Sequence, residues 1–291
     1  MRHSTPTKVS ENWQGAVFML LAMAGYGLND LAVKIVATHL SAATILVFRS
    51  LLAAFLLLLI LFLRRELVQI RPGLRARALL RSGVDALMTM SYVYALTGMS
   101  LANAAAIYQL TPAIFMLASA ILLRETIPLG CWVGVGLGFF GMVLVIRPDA
   151  GILDTHVLAV LIAVGCAVAR DLLMRGRAMP PPFCLALYSA VCTMIIGLGA
   201  GLAEGGLTIP SPASLAPLLL AAAAIATGYV FLARATVTGS SGFVSPFRYS
   251  ILIFAVIFGA IALGEYPDMT TLIGIVIILI SGVIVGLTNP L

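Results

Sequence analysis

The chain has 291 residues, of which 62% are hydrophobic and only 10% are charged, and its formal net charge at pH 7 is +6. A soluble domain carries about 25% charged residues, so this composition excludes a soluble globular protein and predicts an integral membrane protein. Because the basic residues cluster in short segments between apolar runs, the positive charge indicates membrane topology and not nucleic-acid binding.

Ten apolar runs follow one another along the chain, and a helix needs about 20 such residues to cross the bilayer. The predicted spans are 14–37, 41–63, 79–98, 103–123, 128–147, 154–175, 183–203, 213–236, 241–263 and 268–288. The first run contains Asn29, Asp30 and Lys34 and precedes nine more spans, so we expect a retained helix and not a cleaved signal peptide. The short connectors leave little room for a soluble catalytic domain.

The two halves of the chain resemble each other. Residues 111–125 align with residues 251–265, and the pattern Asp30 to Lys34 recurs as Asp171 to Arg175. Five spans per half is an odd number, so two similar halves enter the membrane with opposite orientation, as in many secondary transporters. The sequence therefore predicts an all-α integral membrane protein with ten transmembrane helices, in two inverted five-helix repeats (13–148 and 154–288) around a central cavity.

The distribution of basic residues predicts the orientation. With a cytoplasmic amino terminus, the cytoplasmic side holds Arg2, Lys8, Arg64, Arg65, Arg71, Arg75, Arg77, Arg81, Arg124, Arg175, Arg177 and Arg234. The opposite side holds Arg147. Because cytoplasmic loops carry an excess of Lys and Arg, both termini are predicted to be cytoplasmic.

Ionisable residues inside the predicted spans normally face the interior of a bundle, because a charge is costly at mid-bilayer. Asp30 and Arg49 fall at similar depth near the outer surface, which predicts that they pair, and Asp171 and Arg248 fall at comparable depth near the cytoplasm. Our hypothesis is that charges gate the two ends of a permeation route: Asp30, Lys34, Arg49, Arg170, Asp171 and Arg175. In the alternative, Lys34 and Arg175 snorkel to the interface while Asp30 and Asp171 neutralise them along one helix face.

Aromatic and polar side chains predict a pocket in the same spans. Asp85, Met88 and Tyr92 fall on one helical stripe of the third span. The other candidate lining residues are Tyr26 and Asn29 in the first span, Tyr94 in the third, Tyr108, Gln109, Thr111 and Pro112 in the fourth, and Tyr229, Phe243, Ser245 and Arg248 in the eighth and ninth. Such side chains supply ring faces and hydroxyls, as small-molecule pockets do. The alternatives are helix packing and interfacial anchoring.

Enzymatic interpretations find little support in the sequence. It contains no His-Glu-x-x-His motif, phosphate-binding Gly-rich loop or Ser-nucleophile elbow. Its four cysteines, Cys131, Cys166, Cys184 and Cys192, lie inside predicted spans without a Cys-x-x-Cys pair, which argues against disulfides and metal binding. We therefore expect no enzyme activity, no cofactor and no metal.

Several short patterns resemble one known family. They are Gly27-Leu28-Asn29, Lys34, Phe48-Arg49, Ala104-Ala105-Ala106, Pro112, Glu125 with Gly134 and Gly141, and Glu265 with Gly274. Together they resemble the repeat signature of the drug/metabolite transporter superfamily, EamA type, and most of all its bacterial aromatic amino acid exporters. The second half departs from the pattern, because Leu252 stands at the position that matches Pro112.

The resemblance implies ten helices, a central cavity and outward movement of amino acids. We expect a secondary transporter of the bacterial inner membrane that exports aromatic and other neutral amino acids by alternating access. Its partners would be a small-molecule substrate and the lipid bilayer, without nucleic acid, and a monomer is the expected form. The alternatives are an exporter of other small metabolites or drugs from the same superfamily, and a passive pore. The sequence leaves the individual substrates and proton coupling open.

Overall fold

The structure is a computed structural model that describes residues 6–70, 75–123, 129–146, 154–174, 180–238 and 241–288. The first half forms the helices α1 (Pro6–Val36), α2 (Ala42–Leu63), α3 (Ala76–Gly98), α4 (Leu101–Tyr108 and Thr111–Leu123) and α5 (Leu129–Ile146). The second half forms α6 (Thr155–Met174), α7 (Pro182–Ala203), α8 (Pro212–Thr238), α9 (Ser241–Val244, Ser245–Tyr249, Ser250–Phe258 and Gly259–Leu263) and α10 (Met269–Thr288). The predicted all-α fold of ten helices is confirmed.

Most of these helices have the length and composition of membrane spans. In the described part of the chain, eight helices are long and apolar enough to cross a bilayer. The helix α3 is not among them and carries Arg77, Arg81 and Asp85, while α10 counts as a shorter apolar helix over Met269–Ile284. The helix α3 packs against α6 and α7; Arg77 is exposed, Arg81 is partly buried and Asp85 is buried.

The start of α1 differs most from its predicted limit. The apolar run was predicted to begin at residue 14, whereas the helix begins at Pro6 and includes the polar residues Ser10 and Glu11. Apolar composition indicates where a helix enters the bilayer, and the backbone hydrogen bonds continue beyond that point. Proline at the first helical position fits this start, because its missing N–H has no partner inside the helix anyway.

Serine caps begin the helices that follow two of the short connections at one end of the bundle. Ser41 accepts a hydrogen bond from the backbone N–H of Thr44 at the start of α2, and Ser100 accepts one from Asn103 at the start of α4. Each cap provides an acceptor for a free N–H of the first turn. We call this end of the bundle, which also holds the α9–α10 connection, the Glu265 end, and the opposite end the termini end.

Proline interrupts α4 between its two segments. Pro112 has no N–H to donate to the carbonyl of Tyr108, four residues earlier. The hydroxyl of Thr111 donates to that carbonyl instead, at 2.6 Å. The helix is therefore interrupted just before Pro112, and the released carbonyl is satisfied by the neighbouring side chain.

The pairing of helices shows the inverted arrangement of the two repeats. The helix α1 packs on α8 as α6 packs on α3, and α2 packs on α8 as α7 packs on α3. Likewise α1 contacts α9 as α6 contacts α4, while α2 contacts α7 and α5 contacts α10. Exchanging each helix for the one five places later reproduces this set of contacts, as a two-fold axis between the halves requires.

The helices α5 and α10 cross on this axis through small residues. A Cβ atom on Gly141 would lie 2.8 Å from the carbonyl oxygen of Gly274, and one on Gly274 would lie 2.7 Å from the carbonyl oxygen of Gly141. Farther along the same two helices, the hydroxyl of Ser281 donates to the carbonyl of Gly134 at 2.6 Å. Because Gly134 aligns with Gly274 in the repeat and Gly141 aligns with Ser281, the two contacts are related by the same symmetry.

Large apolar side chains cover the outside of the bundle. Phe55, Phe62, Ile121, Trp132 and Ile195 are all exposed. In water such a surface would be unfavourable, but it suits the hydrocarbon core of a bilayer, where backbone polar groups must be satisfied inside the helices. The polar side chains that remain inside the bundle are therefore few, and their positions are informative.

Candidate functional site

A chain of hydrogen bonds joins α1, α2 and α3 inside the bundle. Nη1 of Arg49 donates to Oδ1 of Asn29 at 3.2 Å, and Nδ2 of Asn29 donates to Oδ1 of Asp30 at 2.9 Å. The hydroxyl of Tyr92 donates to Oδ2 of Asp30 at 3.3 Å. Asn29, Asp30 and Arg49 are 4%, 9% and 5% exposed. Asp30 and Arg49, predicted to pair, thus share a site through the Asn29 carboxamide; we call these three residues the Asn29 triad.

A second cluster surrounds Asp85 of α3, which is 3% exposed. Nη1 of Arg170 lies 2.8 Å from Oδ1 of Asp85, and Nη1 of Arg81 lies 3.5 Å from Oδ2. Nε of Arg170 also lies 2.8 Å from Oδ1 of Asp171, and Arg81 donates to Ser189 at 2.8 Å. This Asp85 cluster connects α3 and α6, one from each repeat.

Aromatic and thioether groups connect the two polar sites. The rings of Tyr92 and Tyr108 have centroids 5.2 Å apart, and the hydroxyl of Tyr108 donates to the sulfur of Met88 at 3.0 Å. The same sulfur lies 3.4 Å from Nη1 of Arg170. Asp85, Met88 and Tyr92 share one face of α3, as their spacing predicted. The polar path is therefore continuous from Arg49 to Arg170.

The Glu265 end is closed by contacts between the repeats. Nζ of Lys34 donates to the carbonyl oxygen of Met99 at 2.6 Å and lies 3.4 Å from Oε1 of Glu265. Oε2 of Glu265 accepts a hydrogen bond from the backbone N–H of Leu101 at 2.8 Å. Lys34 lies one helical turn beyond Asp30, because four residues rise about 6 Å. The ends of α1, α3 and α9 are thus held together above the Asn29 triad.

A second contact at the Glu265 end involves α3 and α6. The rings of Tyr94 and His156 stack with centroids 5.2 Å apart, and a Cβ on Gly98 would collide with the His156 ring. His156 also contacts Asp154 through its ring and its backbone N–H, and these hydrogen bonds hold the pKa of the Asp154 carboxyl below its usual range. The absence of a side chain at Gly98 permits this contact between the repeats.

Two sequence-predicted lining residues pair at the contact of α1 with α8. The rings of Tyr26 and Tyr229 meet edge to face with centroids 5.8 Å apart, and a Cβ on Gly228 would lie 2.8 Å from the Tyr26 ring. Gly25 packs equally closely on the backbone of Ala224. Glycines therefore bring α1 and α8 close together, and Tyr26 and Tyr229 lie at that contact.

Other predicted site residues lie outside the polar path. Tyr94 is 41% exposed and faces away from Tyr92, since two residues turn a helix by about 200°. Phe243 packs against Trp13 and Phe247. Arg248 is exposed, whereas Asp171, predicted at the same depth, contacts Arg170 at the end of the polar path. Gln109 is partly buried at the break in α4. Ser245 begins a 3-10 segment of α9, and Arg175 lies outside the described residues.

Three contributors to these clusters were not among the predicted site residues. Arg81 was interpreted only as part of a basic loop, although it lies within α3 and contacts Asp85. Ser189 and Glu265 were not assigned a contact either. The signal for Glu265 was its alignment with Glu125 in the repeat, which marks a position that both halves share.

Two concavities on the described surface lie away from this path. One of about 470 Å³ lies at the Glu265 end, between the end of α1 and the start of α8, and is lined by His39, Thr208 and Pro217 among others. It contains none of the predicted site residues. The Asn29 triad and Asp85 are buried among the packed helices.

Comparison with known proteins identifies the family. The model of the EamA-like transporter family matches residues 13–147 and again residues 154–287. An S-adenosylmethionine uptake transporter of Rickettsia conorii is 26% identical, over 91% of this chain and 90% of its own length. A pseudopaline exporter of Pseudomonas aeruginosa is 27% identical, over 94% of this chain and 96% of its own length.

An uncharacterized transporter of Helicobacter pylori is 25% identical, over 94% of both chains. One crystal structure, 17% identical, covers 98% of this chain and 100% of its own and superposes with a TM-score of 0.67, which shows a shared fold. The family model matches both halves of the sequence separately, in agreement with the repeat in the structure. The chain therefore belongs to the EamA-like transporter family.

Proposed function

We propose that this membrane transporter is a secondary carrier that exports amino acids, aromatic and other neutral ones among them, or metabolites derived from amino acids, by alternating access. The observation that carries the proposal is the continuous path of charged and aromatic side chains that runs through the first repeat and reaches Arg170 of the second. Repeats of this kind expose a shared site alternately to the two faces of the membrane. We also propose that the protein lies in the bacterial inner membrane with both termini in the cytoplasm.

The charges along the path favour a substrate that carries both signs. Asp30, Asp85 and Asp171 are balanced by Arg49, Arg81 and Arg170. An uncompensated charge inside a membrane protein is costly. A zwitterion enters such a site without adding net charge, and its two ends find partners of opposite sign. The faces of Tyr92 and Tyr108 suit an apolar or aromatic side group.

The name of one relative supports an amino-acid-like substrate. One is named for the uptake of S-adenosylmethionine, a derivative of the amino acid methionine, and another for the export of pseudopaline. The two names give opposite directions of transport, so family membership leaves the direction open. We propose export because the sequence resembles amino acid exporters.

The contacts at the Glu265 end support alternation. Lys34 belongs to the first repeat and Glu265 to the second, so their contact must break for this end to open. The sequence repeat aligns Lys34 with Arg175 and Glu265 with Glu125, both of which lie outside the described residues. The gating role of Asp30, Lys34, Arg49, Arg170, Asp171 and Arg175 remains part of the proposal.

Counterflow of labelled amino acids into proteoliposomes tests the proposal. Liposomes loaded with unlabelled amino acid are expected to accumulate the labelled one transiently and with saturation, because a carrier exchanges substrate across its alternating site. A panel of amino acids with and without a pH gradient would identify the substrates and any proton coupling. Flux that rises linearly with concentration would indicate a passive pore, and accumulation of other metabolites or drugs alone would refute the amino acid assignment.

A further inference from the structure

We infer that the Asn29 triad is the subsite for the head group of a zwitterionic α-amino acid, and that the carboxamide of Asn29 holds the substrate's place while the site is empty. The inference rests on the proposed function and deepens it, because it states which residue contacts which end of the substrate. Arg49 would contact the carboxylate, and Asp30 would contact the ammonium group.

The geometry of the triad matches both ends of such a head group. The Asn29 carbonyl oxygen accepts from the Arg49 guanidinium at 3.2 Å, as a substrate carboxylate would. The Asn29 amide nitrogen donates to the Asp30 carboxylate at 2.9 Å, as a substrate ammonium would. A carboxamide offers an acceptor and a donor side by side, so it reproduces the hydrogen bonds of a zwitterion without its charges.

The arrangement is unusual for a buried acid and base. Two opposite charges removed from water need direct contact in good geometry, because only then does their mutual attraction repay their desolvation. The structure instead inserts a neutral amide between Arg49 and Asp30, in a region where all three side chains are almost fully buried. A charged head group would interact more strongly with both partners than the amide does, since charge-assisted hydrogen bonds are about twice as strong as neutral ones.

The surroundings of Asp30 leave its carboxylate available. Its other oxygen accepts a hydrogen bond from the Tyr92 phenol at 3.3 Å, and this donor is neutral. Asp85, in contrast, already contacts the guanidinium groups of Arg170 and Arg81 directly. Asp85 and Tyr92 are seven residues apart on α3, about 10 Å along the helix axis, so one α-amino acid head group does not reach both sites. The head group therefore belongs at the Asn29 triad.

The position of the triad also fits a substrate site. It lies one helical turn inside the contact of Lys34 with Glu265, which closes the Glu265 end. Tyr92 and Tyr108 lie beside it and continue toward Met88. A substrate whose head group displaces Asn29 would direct its side chain along these rings.

Inhibition of phenylalanine counterflow by two analogues tests the inference in the wild-type protein. The analogue 3-phenylpropionate lacks the ammonium group, and 2-phenylethylamine lacks the carboxylate. Unlabelled phenylalanine is expected to inhibit at least about 10-fold more strongly than either, because each analogue leaves one buried charge of the triad without its partner. Equal inhibition by all three compounds would overturn the inference and leave amino acid transport standing. The absence of counterflow for every amino acid would instead refute the proposed function, and the inference with it.

Variants distinguish the two ends of the head group. Asp30→Asn is expected to weaken the preference for phenylalanine over 3-phenylpropionate by about 10-fold, and to leave the discrimination against 2-phenylethylamine in place. Arg49→Gln is expected to do the reverse. Asn29→Ala removes only the placeholder, so the preference for phenylalanine over both analogues should persist. If the two charge variants altered both preferences equally, their role would be structural and the assignment wrong.

Matched controls for charge removal lie at exposed positions. Glu204→Gln removes an acid at the end of α7, and Arg64→Gln removes a base just after α2. Neither residue belongs to the polar path, so both variants should retain the wild-type order of inhibitors.

Discussion

Asp85→Asn is expected to lower the free energy of unfolding by about 3 kcal/mol or more, because removal of one member of a buried ion pair leaves its partner uncompensated. Asp85 contacts Arg170 at 2.8 Å and Arg81 at 3.5 Å, so the substitution affects two guanidinium groups at once. It also removes the ion pair that connects α3 of the first repeat to α6 of the second. We therefore expect a loss of stability, measured by unfolding in detergent. We also expect a loss of counterflow, measured in proteoliposomes.

A matched variant separates this effect from charge removal in general. Glu66→Gln breaks the ion pair between Nε of Arg64 and Oε1 of Glu66, which lie 3.0 Å apart, and the Arg64 side chain is 48% exposed. Surface ion pairs contribute about 1 kcal/mol or less, so this variant should unfold and transport almost as the wild type does. An Asp85→Asn protein as stable as the Glu66→Gln protein would contradict the role assigned to the Asp85 cluster.

The second large effect is expected at the crossing of α5 and α10. Gly141→Ala places a Cβ 2.8 Å from the carbonyl oxygen of Gly274 and 2.8 Å from Cγ1 of Ile278. The two helices must then move apart, and overpacking of this kind costs about 1–3 kcal/mol. A lower free energy of unfolding in detergent is the expected result, and Gly274→Ala should behave in the same way because its Cβ would lie 2.7 Å from the carbonyl oxygen of Gly141, on the other side of the same contact.

The same helix provides the control for this prediction. A Cβ on Gly136 would meet no atom within 4 Å, so Gly136→Ala changes the same residue type in α5 without a clash. Alanine also favours the helix over glycine by about 1 kcal/mol. The Gly136→Ala protein should be as stable as the wild type or more so. If both variants were equally stable, the close approach of α5 and α10 would not limit stability.

The sequence predicted the architecture well because that architecture follows from simple patterns. Apolar run length determines where helices cross the bilayer, and an internal repeat with an odd number of spans requires inversion. The spacing of Asp85, Met88 and Tyr92 predicted their shared face on α3. Estimates of depth along the helices also brought Asp30 and Arg49 to the same level, and the structure joins them through Asn29.

Contacts between distant helices could not be predicted from the sequence, because the depth of a residue does not determine which way its side chain points. Asp171 and Arg248 were predicted at the same depth, yet Asp171 contacts its neighbour Arg170 while Arg248 is exposed. The contact of Arg170 with Asp85 depends on how α3 and α6 pack, and that packing is not local. Glu265 was noticed as a repeated acid, but its partners Lys34 and Leu101 come from other helices.

Alternating access is tested most directly by measuring, in lipid, the distances between spin labels at the two ends of the bundle. One pair, at Thr38 and Tyr266, reports on the Glu265 end, and a second pair, at Leu122 of α4 and Met174 of α6, reports on the termini end; all four residues are exposed. Addition of a transported amino acid should lengthen one distance while the other shortens. Glu265→Gln, which removes the charge partner of Lys34, should shift the population toward an open Glu265 end. Distances that stay fixed, or that lengthen together at both ends, would contradict alternating access.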